Sequence, residues 1–190
     1  MTRRFVFLVG LVLSFQVSFG QNDDIKTVFN NYIKSTKSTD VREQIDFLYP
    51  KQFEYFSRDT LVTAYEMLQE NPSVQLGEEK LISISEIYSE NGIKYALITF
   101  AQKMTLDLSA MKGEGGVDFA IQLMLKEFKN AHGEDNVVFE KEKYTVLINL
   151  TNEMYSILDP KYNDWKFLSK DDDMKSIYNS IVPETIKEKI

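Results

Sequence analysis

The stretch ISEIYSENGIKYALITF, residues 84–100, decides the fold of this chain. Apolar and polar residues alternate on both sides of Asn91 and Gly92, with the period of two that is typical of β-strands. Asn91 and Gly92 tolerate the positive φ angles of a type I′ turn, so the two halves are predicted to form a two-residue hairpin. The return strand is predicted to run from Ile93 to about Leu108, with one face buried.

Three helix patterns precede the hairpin. Apolar residues repeat every three or four positions over residues 25–33, which predicts an amphipathic helix. A second helix is predicted from Asp40, which forms a capping-box pattern with Glu43, to about Leu48. A third is predicted between the cap Ser57 and Asn71, with Leu61, Ala64, Tyr65 and Leu68 facing inward.

A further helix, Val117–Ala131, is predicted after the long strand, and more strands follow it over residues 144–158 and 165–168. A closing helix begins near Met174 and is predicted to kink or divide at Pro183. The sequence therefore predicts an α+β fold. Its N-terminal helices pack on a curved antiparallel sheet, an extra helix is inserted between strands, and a C-terminal helix closes the chain.

This order of elements resembles the nuclear transport factor 2-like superfamily, also called the cystatin-like cone. The resemblance is carried by residues 25–33, 57–71, 84–100 and 165–168. In that family a strongly bent sheet folds around the helices and leaves a pocket, which some members use for catalysis and others for binding or dimer contacts. The inserted helix and the final helix depart from the usual order, so no pocket residue is transferred to this chain.

The first twenty residues have the pattern of a secretory signal peptide. Two arginines precede an apolar run over residues 5–15, which is shorter than the roughly twenty residues of a spanning helix. Small residues then precede a predicted cut between Gly20 and Gln21, where a bacterial lipoprotein would need a cysteine. The prediction is a secreted or periplasmic protein, residues 21–190, that forms a single domain and has no membrane anchor after cleavage.

Composition excludes several functions. Residues 21–190 carry 20 basic and 29 acidic side chains, a net charge of −9 without a basic cluster, which argues against a nucleic-acid partner. Cysteine is absent, which removes disulfides, thiol nucleophiles and thiolate zinc sites. No cofactor-binding motif is present, and no cofactor is expected to be bound.

Two titratable residues are weak candidates for chemistry. Glu86 shares the phase of Ile84 and Tyr88 and could enter an apolar cavity with a raised pKa as a general base; the alternative is a solvated strand end. His132, the only histidine, is expected to serve the C-terminus of its helix. Five aromatic residues could line a pocket or form ordinary core: Tyr32, Tyr65, Tyr95, Tyr144 and Trp165.

These observations favour a secreted or periplasmic protein that binds a small molecule or a protein without catalysis. Binding is expected to use a concave sheet surface or the formation of a homodimer. The alternative is a small cofactor-free isomerase or hydrolase with a carboxylate base in a pocket, for which Glu86 is the candidate. A third hypothesis is an inhibitor or adhesion protein that uses an exposed sheet edge.

Overall fold

The computed structural model describes residues 22–113 and 116–190. Helices come first, an open and curved antiparallel sheet of seven strands follows, and helices end the chain. The predicted α+β class is confirmed, including the helix inserted between strands and the C-terminal helix.

The described residues group into two compact units. Unit 1 holds the residues up to Phe56 together with Ile84–Ile98 and Met154–Ile190, and unit 2 holds Ser57–Ser83 and Thr99–Glu153. A single domain over residues 21–190 stays a prediction.

The sheet is built around two long strands. Its main path runs β1-β4-β6-β5; β2 and β3 also pair with β4, and β7 pairs with β6. The strands are β1 (Val74–Leu76), β2 (Lys80–Ile84), β3 (Tyr88–Glu90), β4 (Ile93–Asp107), β5 (Val137–Glu140), β6 (Thr145–Leu158) and β7 (Lys166–Ser169).

The predicted hairpin is confirmed. Asn91 and Gly92 have φ angles of 51° and 79°, and Glu90 of β3 pairs with Ile93 of β4. Both central residues thus adopt the left-handed conformation of a type I′ turn, whose twist matches that of the flanking strands.

The strand before the hairpin is interrupted, although the alternation predicts a continuous one. The Ser85 hydroxyl accepts a hydrogen bond from the Leu97 N–H at 2.8 Å, and the Ser85 N–H donates to the Leu97 carbonyl at 2.8 Å. The same hydroxyl donates to the Glu86 carbonyl. A serine side chain therefore replaces a backbone partner, and the regular ladder stops between β2 and β3.

Strand β4 is buried on both faces in unit 1, whereas the sequence predicts one buried face. Residues Tyr95 to Ile98 are all buried. Tyr95 and Leu97 belong to a core with the C-terminal helices α5 (Lys175–Ile181) and α6 (Glu184–Lys187). These helices lie on either side of Pro183, as predicted.

Helix α1, residues 22–35, buries the predicted stripe in unit 1. The rings of Phe29 and Tyr32 pack against Phe167 of β7 at centroid distances of 5.8 and 5.5 Å. The other buried apolar residues of this helix are Ile25 and Val28.

Helix α2, Val41–Ile45, starts at the predicted cap but ends before Leu48. Asp40 accepts a backbone N–H of the first turn at 3.0 Å. Leu48 instead forms a parallel bridge with Phe167, and the Tyr49 N–H donates to the Phe167 carbonyl at 2.8 Å. The edge of β7 thus supplies hydrogen bonds that a further helical turn would have made.

Two helices belong to unit 2. Helix α3, Arg58–Glu70, has Ser57 as its N-cap, as predicted, but its buried apolar residue is Val62 rather than a member of the predicted stripe. Helix α4, Val117–His132, buries an apolar face against β5 and β6. The buried residues of this core are Val117, Ile121, Leu125, Val137, Val146 and Ile148.

Candidate functional site

Three polar side chains form a row across the sheet of unit 2. The Gln102 amide nitrogen donates to Glu79 Oε1 at 3.0 Å, and the Asn152 amide nitrogen donates to Gln102 Oε1 at 3.4 Å. All three residues are partly buried. They come from the segment before β2, from β4 and from β6, and we call them the polar row.

The polar row lies on the sheet face that α4 covers. Successive side chains of a strand alternate between faces, so Gln102 shares a face with Met104, and Asn152 shares one with Leu150. Met104 and Leu150 pack against the α4 core. The row therefore begins where the apolar core of unit 2 ends.

The surroundings of the row are largely apolar. Phe100, the preceding residue of this face on β4, is buried, while Met104 and Leu150 are only partly buried. Met124 and Phe128 of α4 also remain partly exposed within the same cluster. Ligand sites are usually lined by apolar side chains with a few fixed polar groups, and both kinds of side chain meet here.

The hydrogen bonds give the row a direction. Each amide donates toward Glu79, so the row runs from the Asn152 amide, which has an acceptor oxygen and a second N–H, to the Glu79 carboxylate. Carboxylate and amide oxygens accept hydrogen bonds. The Asn152 amide oxygen can therefore bind a group that carries N–H or O–H, and the carboxylate within the row disfavours an anion.

The sequence contained a signal for this row. Gln102 interrupts the apolar phase that runs from Phe100 to Met104, and Asn152 continues the phase of Ile148 and Leu150. A polar residue in an apolar phase predicts a buried polar group that needs a partner. Glu79 precedes its strand and carries no periodic signal.

A second polar pair is buried in unit 1. The Tyr49 hydroxyl donates to Asp159 Oδ2 at 2.9 Å, and the two residues are 1% and 3% exposed. Asp159 also accepts the Lys161 N–H on Oδ1 at 3.0 Å, which closes the turn after β6. The Tyr162 ring packs edge-on against Tyr49 at 5.7 Å.

Burial, hydrogen bonds and nearby charges favour one protonation state of this pair. Burial would raise the pKa of Asp159, but the hydrogen bonds from Lys161 and Tyr49 and the charges of Lys161 and Lys51 lower it below its ordinary value. Burial, followed by the bond to Asp159, raises the pKa of the Tyr49 hydroxyl far above its ordinary value. An ionised carboxylate bonded to a neutral phenol is thus favoured, and both groups are shielded from solvent.

Glu86 does not reach a buried position. It is exposed in the interruption between β2 and β3, where the Tyr88 hydroxyl donates to its Oε2 at 3.0 Å. That bond raises the pKa of Tyr88. The phase that predicted an inward Glu86 is lost because Ser85 breaks the strand.

The aromatic residues proposed as a pocket lining are distributed over both units. Tyr32 packs on Phe167, and Tyr95 belongs to the core beneath the C-terminal helices. Tyr144 donates its hydroxyl to Asp118 at 3.0 Å. Trp165 is buried in unit 1 and Tyr65 lies in unit 2.

His132 ends α4, as expected, and the Asn136 amide caps its carbonyl at 2.8 Å. Among residues 22–113 and 116–190, no three His, Asp or Glu side chains are arranged to hold a metal ion. The helices in the same ranges are too short or too polar to span a bilayer. Gly20 and Gln21 lie outside the described residues.

Comparison with known proteins yields no relative: no protein-family model, no curated protein and no solved structure matches this chain. The resemblance to the nuclear transport factor 2-like superfamily therefore stays a prediction.

Proposed function

We propose that this chain is an exported, non-catalytic binding protein that takes a small amphipathic molecule at the polar row. The observation that carries the proposal is the pair of hydrogen bonds that joins Asn152 to Gln102 and Gln102 to Glu79. These residues come from three segments of unit 2 and lie beside partly exposed apolar side chains. The nuclear transport factor 2-like resemblance implies a pocket between the bent sheet and its helices, and the polar row lies on the sheet face that α4 covers.

The polarity of the row supports a particular ligand class. The Asn152 amide oxygen is an acceptor and the row contains the Glu79 carboxylate, so the ligand should present an ammonium, amide or hydroxyl group. Its apolar part should contact side chains such as Met104 and Leu150. A carboxylate or phosphate ligand is disfavoured, because it would approach Glu79 and the net charge of −9 predicted for residues 21–190.

A cofactor-free isomerase or hydrolase is the second candidate function. The buried Tyr49–Asp159 pair has the carboxylate and hydroxyl that such an enzyme needs. Asp159 would then take the role of general base that was expected of Glu86. A lowered pKa makes Asp159 a weak base, however, and its 3% exposure gives a dissolved substrate little access. Binding without turnover is therefore the better supported function.

Variants of two asparagines on opposite faces of β6 test the proposal. Asn152→Leu removes one end of the row, whereas Asn149→Leu changes an exposed residue of the other face. Untargeted mass spectrometry of the mature protein from its native host should find a small molecule that Asn152→Leu loses and Asn149→Leu retains. Equal content in both variants would contradict the site.

A ligand series tests the class. Hexylamine, hexanol and hexanoate share one chain length and differ in the polar group. A ligand that binds the folded state raises the melting temperature, so the amine and the alcohol should raise it and hexanoate should not. Asn152→Leu should abolish the response. A shift from hexanoate alone would refute the proposed polarity.

Export is tested separately by the mass of the mature N-terminus. Cleavage should leave Gln21 as the first residue of the protein recovered outside the cytoplasm. An intact Met1 on that protein would contradict the exported form of the proposal.

A further inference from the structure

Strand β5, Val137–Glu140, ends the strand order of unit 2. Among the described residues only β6 pairs with it, so its other edge presents backbone N–H and C=O groups without a strand partner. The strand contains no proline and no lysine, which commonly protect such an edge. Val138 is half exposed. We propose that this edge pairs with the same edge of a second copy, which forms an antiparallel homodimer.

Two-fold symmetry limits how the two edges can align. Antiparallel strands alternate hydrogen-bonded and non-hydrogen-bonded residue pairs, and a two-fold axis cannot exchange one kind for the other. One residue must therefore lie opposite its own copy. The four residues of β5 allow four such registers.

The register centred on Val138 matches apolar with apolar residues. Val138 lies opposite the partner's Val138, and Val137 lies opposite the partner's Phe139. Val138 also pairs with Leu147 of β6, which is 37% exposed on the same face. Two copies would therefore align four exposed apolar side chains across the joined sheet, away from α4.

The same register makes good use of the short strand. Residues before β5 form a 3-10 helix, Glu134–Asn136, and a turn follows the strand, so only the four strand residues can pair. Pairing about Val138 joins three strand residues of each copy, Val137, Val138 and Phe139, all of which are apolar. Cross-strand pairs of apolar side chains stabilise a sheet, which favours this register.

The other symmetric registers are less favourable. Centring on Val137 or on Glu140 pairs only that one strand residue with its own copy, and centring on Glu140 also opposes two identical carboxylates. Centring on Phe139 places Val138 opposite the partner's Glu140.

This dimer deepens the proposed function, since it would join two ligand-binding units through one sheet. It can fail independently, because dimerisation is measured without ligand. If it is absent while the polar row still binds hexylamine, only the dimer is refuted.

Sedimentation equilibrium of the mature protein tests the dimer. Val138→Lys places two cations face to face and should weaken dimerisation by at least about tenfold. Leu123→Lys is the matched control, because Leu123 on the outer side of α4 is also 50% exposed.

Cysteine substitution tests the register, because the chain contains no cysteine. In Val138→Cys the two Cβ atoms should lie about 5 Å apart, and oxidised glutathione should convert the two thiols to an intermolecular disulfide. Leu147→Cys should not crosslink, since its copy lies three strand spacings, roughly 14 Å, away.

Each outcome decides the proposal. A dimer that dissociates in Val138→Lys but not in Leu123→Lys, and crosslinks through Val138→Cys, supports it. A wild-type monomer at roughly millimolar concentration, near the weak limit of specific association, overturns it. A dimer broken by Leu123→Lys alone also overturns it, in favour of the outer side of α4.

Discussion

The Tyr49 hydroxyl donates a hydrogen bond of 2.9 Å to Asp159, a residue 110 positions further along the chain. Tyr49 is held by its backbone bond to β7, and Asp159 is held by the turn after β6. The bond therefore joins two distant segments of unit 1 inside a solvent-shielded core, where a lost partner is not replaced by water.

Removing the Tyr49 hydroxyl should destabilise the fold. Tyr49→Phe leaves the buried carboxylate with one donor fewer, and we expect a loss of about 1–3 kcal/mol in the free energy of unfolding. Urea denaturation measures it. Tyr55→Phe is the control, since the Tyr55 hydroxyl also makes a side-chain bond, to Ser180, but is exposed. That variant should change stability by less than about 0.5 kcal/mol, and equal losses in both would contradict a special role for the buried pair.

The same pair predicts how stability depends on pH. The pKa of Asp159 is lowered in the folded state, so as pH falls the unfolded chain takes up the proton first. The stabilisation is complete above the ordinary aspartate pKa of about 3.9 and is lost as pH falls through the lower folded value. The raised pKa of Tyr49 has the opposite effect on stability. Its stabilisation of the fold is complete below the ordinary tyrosine pKa of about 10 and declines as pH rises from there toward the higher folded value.

Asp159→Asn tests the acid limb. Asparagine cannot titrate, so the variant should lose less stability than the wild type between pH of about 5 and 2. Urea midpoints across this range give the comparison. Parallel curves for wild type and variant would show that Asp159 does not control the acid limb.

Local patterns in the sequence predicted most of the elements. The hairpin follows from two residues that accept positive φ, and α1 follows from a strict apolar period. The helix division at Pro183 follows from a missing N–H and a steric clash. Each of these depends on residues close together in the chain, which a sequence pattern records directly.

The features that the sequence did not predict depend on distant partners. Leu48 leaves the helical pattern because the edge of β7 offers backbone partners, and Glu86 is exposed because the Ser85 hydroxyl bonds to Leu97. The polar row needs Gln102 and Asn152, fifty residues apart, to face each other. The alternation along a strand shows which sheet face each residue occupies, but strand pairing decides which residues of different strands come into contact.

Gly92 should be sensitive to substitution for a purely conformational reason. Its φ is +79°, and a Cβ added there would meet no atom within 4 Å. Gly92→Ala should therefore cost about 1–2 kcal/mol from the left-handed backbone alone. Gly92→Asn should cost less, because asparagine tolerates this region better. Thermal unfolding would measure both, and an equal cost for the two variants would instead indicate a steric cause.

Ser156 has a buried hydroxyl for which no hydrogen-bond partner exists among the described residues. It lies opposite Phe167 in the β6–β7 register and shares the sheet face that the rings of α1 cover. An unsatisfied buried hydroxyl costs stability, so Ser156→Ala should leave stability unchanged or raise it by up to about 1 kcal/mol.

Ser85 provides the control for the Ser156 prediction, because its hydroxyl has partners. Its hydroxyl accepts the Leu97 N–H and donates to the Glu86 carbonyl, both at 2.8 Å. Ser85→Ala leaves the Leu97 N–H without that acceptor and should cost about 1–2 kcal/mol. Urea denaturation of the two alanine variants should thus give changes of different size or opposite sign. A loss at Ser156 as large as that at Ser85 would mean that the Ser156 hydroxyl has a partner in solution, for which an internal water bridging to the backbone of β6 is the simplest candidate.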